Sequence, residues 1–98
     1  MMLEKSRRYE SAKLRKAAKD RACVSCGAQD GTVVLAHMPI AGVADAGMGG
    51  KCGDHWAAHL CARCHSDADS GPYRRDIHWR ARMVYRTLNR LFSDGVVK

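Results

Sequence analysis

Four of the five cysteines occur as two Cys-x-x-Cys pairs that are far apart in the chain. The pairs are Cys23 with Cys26 and Cys61 with Cys64. Each such turn directs two thiolates at one ion, and four thiolates form the ligand set of a closed tetrahedral zinc site. The spacing therefore predicts a structural Zn²⁺, with buried thiols or a single redox pair as the alternatives. Cys52 lies outside both pairs, and we expect it to be a spare thiol rather than a ligand.

Histidines near these pairs could supply acid–base and metal chemistry. His37 follows an apolar run, and a neutral imidazole could take a proton from an attacking water; a purely structural histidine is the alternative. His65 and Asp69 are four residues apart, so on a helix they share a face and could hold a divalent cation. The alternative for them is a solvated pair on the helix surface. His55 and His59 have the same spacing and form a rival metal-binding pair.

Basic residues are concentrated at the two ends of the chain, which carries a net charge of +7 over 98 residues. Residues 1–22 hold eight basic and three acidic side chains, and residues 72–98 hold seven and two. The central residues 23–71 hold two basic and five acidic side chains. The basic ends could bind the phosphates of nucleic acid, with ordinary solvation of a basic surface as the alternative. The expected contacts are Arg15, Lys16, Lys51, Arg82, Arg86 and Arg90.

The length predicts one small domain, whose core alone would be marginally stable, so a metal staple is expected. We divide residues 1–98 into a basic helical segment over 1–22, a zinc-binding core over 23–70 and an amphipathic helix over 72–98. The odd cysteine count argues against a secreted disulfide framework. The sequence has no signal-peptide core and no membrane span, so we expect a cytoplasmic protein with reduced thiols.

Few regular elements are available to position these groups. In chain order we predict a helix over 8–20, a strand over 32–36, a glycine-rich loop over 38–53, a short strand or irregular turn over 54–60, and helices within 62–69 and over 74–92. His37 then stands at the end of the first strand, and Pro39 prevents simple continuation. Trp56 is expected to anchor the core rather than to stack on a base.

The last predicted helix is amphipathic. One face is apolar and is expected to pack on the core, and the other is basic and is either solvated or follows phosphates. The apolar face comprises Ile77, Ala81, Val84, Leu88 and Leu91, and the basic face comprises Arg75, Arg82, Arg86 and Arg90.

The order of these features resembles the HNH, or ββα-metal, endonucleases in their zinc-containing form. More narrowly, it is similar to the YbcO-type nucleases of phages and prophages, over about residues 13–96. The features that carry the likeness are Leu14 to Ala18, Val34 to His37, the glycine-rich loop from Gly42 to Lys51, Asp54, the segment from Cys61 to His65, and Asp69. The resemblance implies an α+β, treble-clef-like domain that is stapled by zinc and flanked by basic helices.

The resemblance also implies roles for individual residues. His37 falls at the position of the general base, His65 at a metal-binding position, and Asp54 near the central position that orients the base or supports the loop. The catalytic ion would be Mg²⁺ or Mn²⁺. Many HNH enzymes have an aspartate immediately before the base histidine, where this chain has Ala36. From the helix spacing we infer that Asp69 supplies the missing carboxylate.

The expected function is therefore cleavage of DNA phosphodiester bonds in a bacterial host cell, in phage DNA metabolism or recombination. The DNA would be double-stranded or branched, and a nuclease this small could act as a homodimer. Two other functions remain open. One is a non-catalytic zinc-containing DNA-binding module on a degenerate HNH scaffold, and the other is a zinc-stapled adaptor for protein partners.

Overall fold

The computed structural model describes residues 9–40 and 52–97. In this part of the chain, three helices and two strands form a small α+β domain. The elements are α1 (Ala12–Ala17), β1 (Val34–His37), β2 (Ala57–Leu60), α2 (Ala62–Asp69) and α3 (Ile77–Ser93). No helix within the described ranges is long and apolar enough to cross a membrane.

The two strands form an antiparallel sheet that places His37 at one end of the hairpin. Val34 pairs with Leu60, and His37 pairs with Ala57, the first residue of β2. All four residues of β2 are buried. Residues 54–60 were expected to form a short strand or an irregular turn, and β2 shows that the second half is a strand.

The first helix is shorter than predicted, and local chemistry sets both of its limits. The Ser11 hydroxyl accepts the Leu14 N–H at 3.2 Å, which caps the first turn. The helix ends at Ala17, and Asp20 then takes a left-handed conformation with φ of 62°. Arg15 and Lys16 lie in its last turn, where positive charge favours the helix dipole.

The first strand begins two residues later than predicted because Thr32 belongs to a turn. Its hydroxyl donates to Asp30 Oδ1 at 2.6 Å, and its backbone N–H donates to the same atom. The Thr32 oxygen also accepts the Ala62 N–H at 2.9 Å, one of the unpaired donors at the start of α2. Thr32 therefore links the turn before β1 to the helix that follows β2.

The long helix α3 packs on β2 with a different face from the one predicted. Val84 and Leu91 are buried as expected, and Ala81 and Leu88 are half-buried. The prediction for Ile77 is wrong, since this residue is 56% exposed. The buried residues of α3 are Trp79, Arg80, Met83, Val84, Thr87 and Leu91.

The buried face of α3 differs from the predicted one because two polar side chains of this helix form hydrogen bonds with backbone groups of the core. The Thr87 hydroxyl accepts the His59 N–H at 3.1 Å and donates to Met83 O at 2.9 Å. The Arg80 guanidinium donates to Ala68 O at the end of α2, and to Arg74 O at 2.9 Å. A positive charge on these carbonyls also offsets the helix dipole. Both side chains turn inward because each satisfies backbone atoms that the fold buries.

Trp56 is half-buried, and its indole N–H donates to Met38 O at 2.7 Å. It packs against the core cluster, in line with the prediction of a core anchor.

Candidate active site and metal centre

The four cysteines of the two Cys-x-x-Cys pairs meet at one point. Their Sγ atoms all lie within 4.8 Å of one another, and the Sγ atoms of Cys26 and Cys61 are 3.7 Å apart. Four sulfurs at Zn–S distances of about 2.3 Å in a tetrahedron would be separated by about 3.8 Å. Cys23, Cys61 and Cys64 are buried, and Cys26 is exposed. The arrangement can hold a metal ion and is consistent with a structural zinc.

The chemistry of these thiols also fits a cation. Burial raises the pKa of Cys64 to about 12, and burial likewise raises the pKa of Cys61. At Cys23 burial also opposes ionisation, but N–H donors from Cys26, Cys61 and Ser25 outweigh it and lower the pKa to about 7. Four thiolates could not coexist in this space without a compensating positive charge, which Zn²⁺ would supply.

Three contacts fix the first cysteine pair to the rest of the domain. The Val24 N–H donates to His59 O at 2.9 Å, which ties the first pair to β2. Arg86 Nη1 donates to Val24 O at 2.9 Å, and Arg90 Nη1 donates to Ala22 O at 2.7 Å. The last helix therefore holds the first pair in place, while the second pair flanks the start of α2 directly.

A histidine–aspartate pair lies at the end of the hairpin where residues 38–56 connect the two strands. His37 Nε2 and Asp54 Oδ1 are 2.8 Å apart, and their side chains are 20% and 1% exposed. The other oxygen of Asp54, Oδ2, accepts the Ser11 N–H at 2.8 Å and Arg15 Nη1 at 3.1 Å. The Asp54 carboxylate thus joins β1 to the first turns of α1.

These contacts keep Asp54 ionised. Burial raises its pKa, but the Ser11 N–H, the hydrogen bond with His37 and the Arg15 charge together outweigh burial and hold the pKa below its usual value. Beside an ionised Asp54, a neutral His37 carries its proton on Nε2 and donates it to the carboxylate. The lone pair on Nδ1 is then available to accept a proton from a water.

The second candidate pair lies on α2. His65 Nε2 and Asp69 Oδ2 are 3.3 Å apart, and their side chains are 36% and 60% exposed. This is the i, i+4 contact that the sequence predicted, in a position open to solvent. Among the described residues no hydrogen bond joins this pair to His37, which lies level with the start of β2, whereas α2 follows the end of β2.

The rival pair of His55 and His59 does not form. This metal-binding pair was predicted because residues four apart share a face of a helix. His59 instead lies in a strand, and its side chain is buried. Its Nδ1 accepts from Arg90 Nη1 at 3.0 Å, and burial, with the charge of Arg90, lowers its pKa to about 4. His55 is exposed and packs edge-on against the Tyr9 ring, with 5.2 Å between centroids.

The remaining predicted residues differ in their surroundings. Cys52 is buried outside the cysteine cluster, and its thiol contacts Trp56 O at 3.3 Å. Lys16 and Arg82 are exposed, while Arg86 and Arg90 contact the first cysteine pair as described above. Lys51 lies outside the described residues. The DNA contacts predicted for the basic side chains stay predictions.

Two contributors to the His37–Asp54 pair were missed by sequence reasoning. Ser11 stands three residues before Leu14 at the start of a helical pattern, which is a recognisable N-cap signal. That signal does not show that the backbone N–H of Ser11 reaches a carboxylate 43 positions away. Arg15 was expected at a phosphate, and nothing in the sequence pairs it with Asp54.

Comparison with known proteins gives one match. The family model described as "Putative nuclease YbcO" matches residues 12–96. The matched span contains both cysteine pairs, His37, Asp54 and His65. No curated protein and no solved structure matches the chain.

Proposed function

Because the chain belongs to the family described as "Putative nuclease YbcO", we propose that it is a metal-dependent DNA endonuclease of the HNH type. It would hydrolyse phosphodiester bonds, with β1, β2 and α2 as the ββα-metal unit. The observation that carries the proposal is the hydrogen bond between His37 and the buried carboxylate of Asp54. An oriented, neutral imidazole beside an ionised carboxylate is the arrangement that a general base requires.

In the proposed reaction His37 Nδ1 takes a proton from the water that attacks phosphorus. Asp54 fixes the imidazole ring through Nε2 and stabilises the imidazolium that forms. Asp54 is in turn held by Ser11 and Arg15, so the ring cannot rotate without breaking a buried hydrogen bond. This fixed geometry lowers the cost of bringing base and water together.

The residues that would hold the catalytic cation are His65 and Asp69. An imidazole nitrogen and a carboxylate oxygen are suitable ligands, and their exposure leaves room for water and phosphate oxygens. A Mg²⁺ or Mn²⁺ ion would stabilise negative charge on the phosphate and the leaving oxygen. The four cysteines would hold Zn²⁺ as a structural ion that takes no part in the chemistry.

Among the described basic residues, Arg15 of α1 contacts the site directly, through Asp54. Lys16 is exposed, and half of the Arg15 side chain is exposed although one of its nitrogens contacts Asp54. We propose that these two residues and Arg82 bind backbone phosphates. Arg86 and Arg90 contribute less, because both guanidinium groups already contact carbonyls of the first cysteine pair. Such contacts carry affinity but little sequence information.

One observation favours the second candidate, a non-catalytic DNA-binding module. Ala36 is 1% exposed and packs within the core, so the position that carries an aspartate in many HNH enzymes offers no carboxylate here. The first candidate therefore depends on Asp69, or on a ligand from the DNA itself, to complete the cation site.

Plasmid cleavage separates the two candidates. Zinc-loaded protein would be incubated with supercoiled plasmid and Mg²⁺ or Mn²⁺, beside His37→Ala, an EDTA sample and the control His78→Ala. His78 is exposed in the first turn of α3. We expect nicking or linearisation that requires the added ion, is lost in His37→Ala and persists in His78→Ala. DNA binding without cleavage under every metal would favour the binding module, and equal activity of both variants would exclude His37 as the base.

A further inference from the structure

The last helix carries a second apolar surface that the domain does not bury. Ile77, Tyr85 and Phe92 are 56%, 65% and 56% exposed, and Ala81 and Leu88 between them are half-buried. At 100° per residue these five side chains lie within an arc of about 80° and extend over about 22 Å. We call them the α3 stripe. Within the part of the chain that the structure describes, nothing covers its three large side chains.

An apolar pocket continues the stripe at its C-terminal end. Its volume is about 440 Å³, and Leu88 and Phe92 belong to both surfaces. The pocket is lined mainly by aliphatic and aromatic side chains, and Asp54 and His55 also line it. The apolar lining comprises Tyr9, Leu14, Leu35, Ala57, Leu88, Leu91, Phe92 and Val97. The stripe and the pocket thus form one apolar surface on a strongly basic protein, which is a common mark of an interaction site.

The chemistry of the pocket argues against an unstacked nucleobase as its occupant. The polar edge of a base needs hydrogen-bond partners when it is buried. Asp54 already accepts from Ser11 and Arg15 and contacts His37, so it has little capacity left for a ligand. The His55 ring and the Tyr9 hydroxyl are the other polar groups of the lining. An aliphatic side chain fits this lining better.

We propose that the α3 stripe and its pocket bind a second copy of this chain, with the two α3 helices antiparallel across a two-fold axis near Tyr85. The stripe is nearly symmetric about Tyr85, with apolar residues eight and four positions before it and three and seven positions after it. An antiparallel pair therefore opposes Ile77 to the partner's Phe92, and Ala81 to the partner's Leu88. Both pairs join two apolar side chains, and the small Ala81 faces the larger Leu88.

The pocket accounts for the two ends of this arrangement. The exposed Ile77 side chain of one copy would reach the C-terminal end of the partner's α3, where the pocket opens. The basic side chains of α3 do not oppose it, because Arg86 and Arg90 lie on the far side of the helix from the stripe and Arg82 lies on its flank, about 60° beyond Tyr85. Two copies with a charge of +7 each can therefore associate without placing their arginines face to face.

The area involved predicts a weak dimer. With a full side-chain surface of roughly 200 Å², the three exposed anchors together offer roughly 350 Å² per copy. A stable dimer buries about 800 Å² per partner. We therefore expect weak association, with a dissociation constant below the millimolar range, that strengthens when both copies occupy one DNA molecule.

The consequence for activity rests on the proposed function. Leu35 and Asp54 both line the pocket, and His37 is two residues after Leu35 in the same strand. A dimer through this surface would join two His37–Asp54 pairs in one assembly, one for each strand of the DNA. The test of the surface itself needs no cleavage.

Sedimentation velocity of zinc-loaded protein over a range of concentrations tests the proposal. We expect a monomer–dimer equilibrium for the wild type and a dissociation constant at least about tenfold higher for Tyr85→Asp, since two like charges would meet at the axis. Arg82→Ala changes the net charge equally on the same helix but off the stripe, and it should dimerise like the wild type. Zinc content and circular dichroism verify that each variant is folded.

A double-mutant cycle tests the antiparallel orientation. Ile77→Lys and Phe92→Glu should each weaken the dimer, and the double variant should dimerise more tightly than the sum of the two single effects predicts, because each lysine faces the partner's glutamate.

A wild type that stays monomeric to millimolar concentration overturns the proposal, as does equal weakening by Arg82→Ala. Additive effects of the pair would exclude the antiparallel arrangement. Loss of cleavage with intact dimers would instead count against the nuclease proposal.

Discussion

Asp54 is the residue on which the candidate active site depends most directly. It is buried, it contacts His37, and it receives two donors from α1. Among the acidic side chains of the described ranges its role is unusual, because a carboxylate kept ionised inside a protein needs donors that offset its desolvation. A buried, ionised carboxylate that contacts a histidine therefore points to a functional role, which an exposed carboxylate would not.

Replacing Asp54 by Asn should reduce cleavage by about 100-fold or more, because the amide cannot stabilise the imidazolium of His37. DNA affinity should change little, since Asp54 is buried. The matched control is Asp20→Asn, because Asp20 is exposed and asparagine tolerates its left-handed conformation. Cleavage rates and DNA dissociation constants of the three proteins decide the matter. Unchanged cleavage by Asp54→Asn would remove Asp54 from the mechanism.

The low pKa of Asp54 also predicts a pH dependence of stability. The folded-state pKa lies below the unfolded value of about 3.9, so ionised Asp54 adds stability that is complete above that pH and is lost as the pH falls through the folded pKa. The free energy of unfolding of the wild type minus that of Asp54→Asn should be constant above about pH 5 and should shrink below pH 4.

Urea unfolding of both proteins across this range measures the difference. Loss of metal in acid affects both proteins and cancels in the subtraction. A difference that does not change with pH would show that the Asp54 pKa is the same in the folded and unfolded chains.

At the scale of elements, α3 supports the metal centre through arginine side chains that contact the segment of the first cysteine pair. Arg90 Nη1 is within hydrogen-bond distance of both Ala22 O and His59 Nδ1, and Arg86 contacts Val24 O. These residues were predicted to face solvent or phosphate because their spacing places them opposite the apolar face. Periodicity reports which residues share a face, but it cannot show that a loop 68 positions away packs against the polar one.

Replacing Arg90 by Met should lower the free energy of unfolding by about 1–2 kcal/mol, because two partly buried acceptors lose their donor. It should also speed the release of metal from the cysteine cluster to a chelator. Arg82→Met, on an exposed part of the same helix, serves as the control. Urea unfolding and the rate of metal transfer to a chromogenic chelator are the measurements. Equal behaviour of the two variants would show that α3 does not support the first cysteine pair.

Helices α2 and α3 show which features of the fold can be predicted from the sequence. The bounds of α2 agree with the prediction, and those of α3 differ by a few residues, because caps and apolar spacing are local signals. The cysteine pairs and the His65–Asp69 contact are also local and were found. The inward turn of Thr87 and Arg80 was not found, because it depends on backbone groups of β2 and α2 that need partners. The Ser11–Asp54 contact was missed for the same reason.

For the molecule as a whole, the cysteine cluster is part of the hydrophobic core. Cys23, Cys61 and Cys64 are themselves members of the buried cluster, beside residues of both strands and of α3. The metal would therefore hold together the segment before β1, the start of α2 and, through Arg86 and Arg90, the last helix. Folding and metal binding should be a single event.

Removing the metal with a strong chelator should unfold the domain and abolish its far-ultraviolet helical signal. Cys64→Ser should behave like the metal-free protein, whereas Cys52→Ser should bind metal with the wild-type stoichiometry, because Cys52 lies outside the cluster. Metal analysis and circular dichroism check both statements. A folded, metal-free protein would show that the thiols are ordinary core side chains.

Synthesis on the ribosome delivers the groups of the candidate active site in a fixed order. Ser11, Arg15, His37 and Asp54 all leave the exit tunnel before the second cysteine pair, which ends at Cys64. A nascent chain or a prematurely terminated product that stops short of Cys61 contains the whole His37–Asp54 pair but can close no tetrahedral site. The bracing arginines of α3 arrive later still. Under the proposed function, such incomplete chains would therefore not cleave the DNA of the cell that makes them.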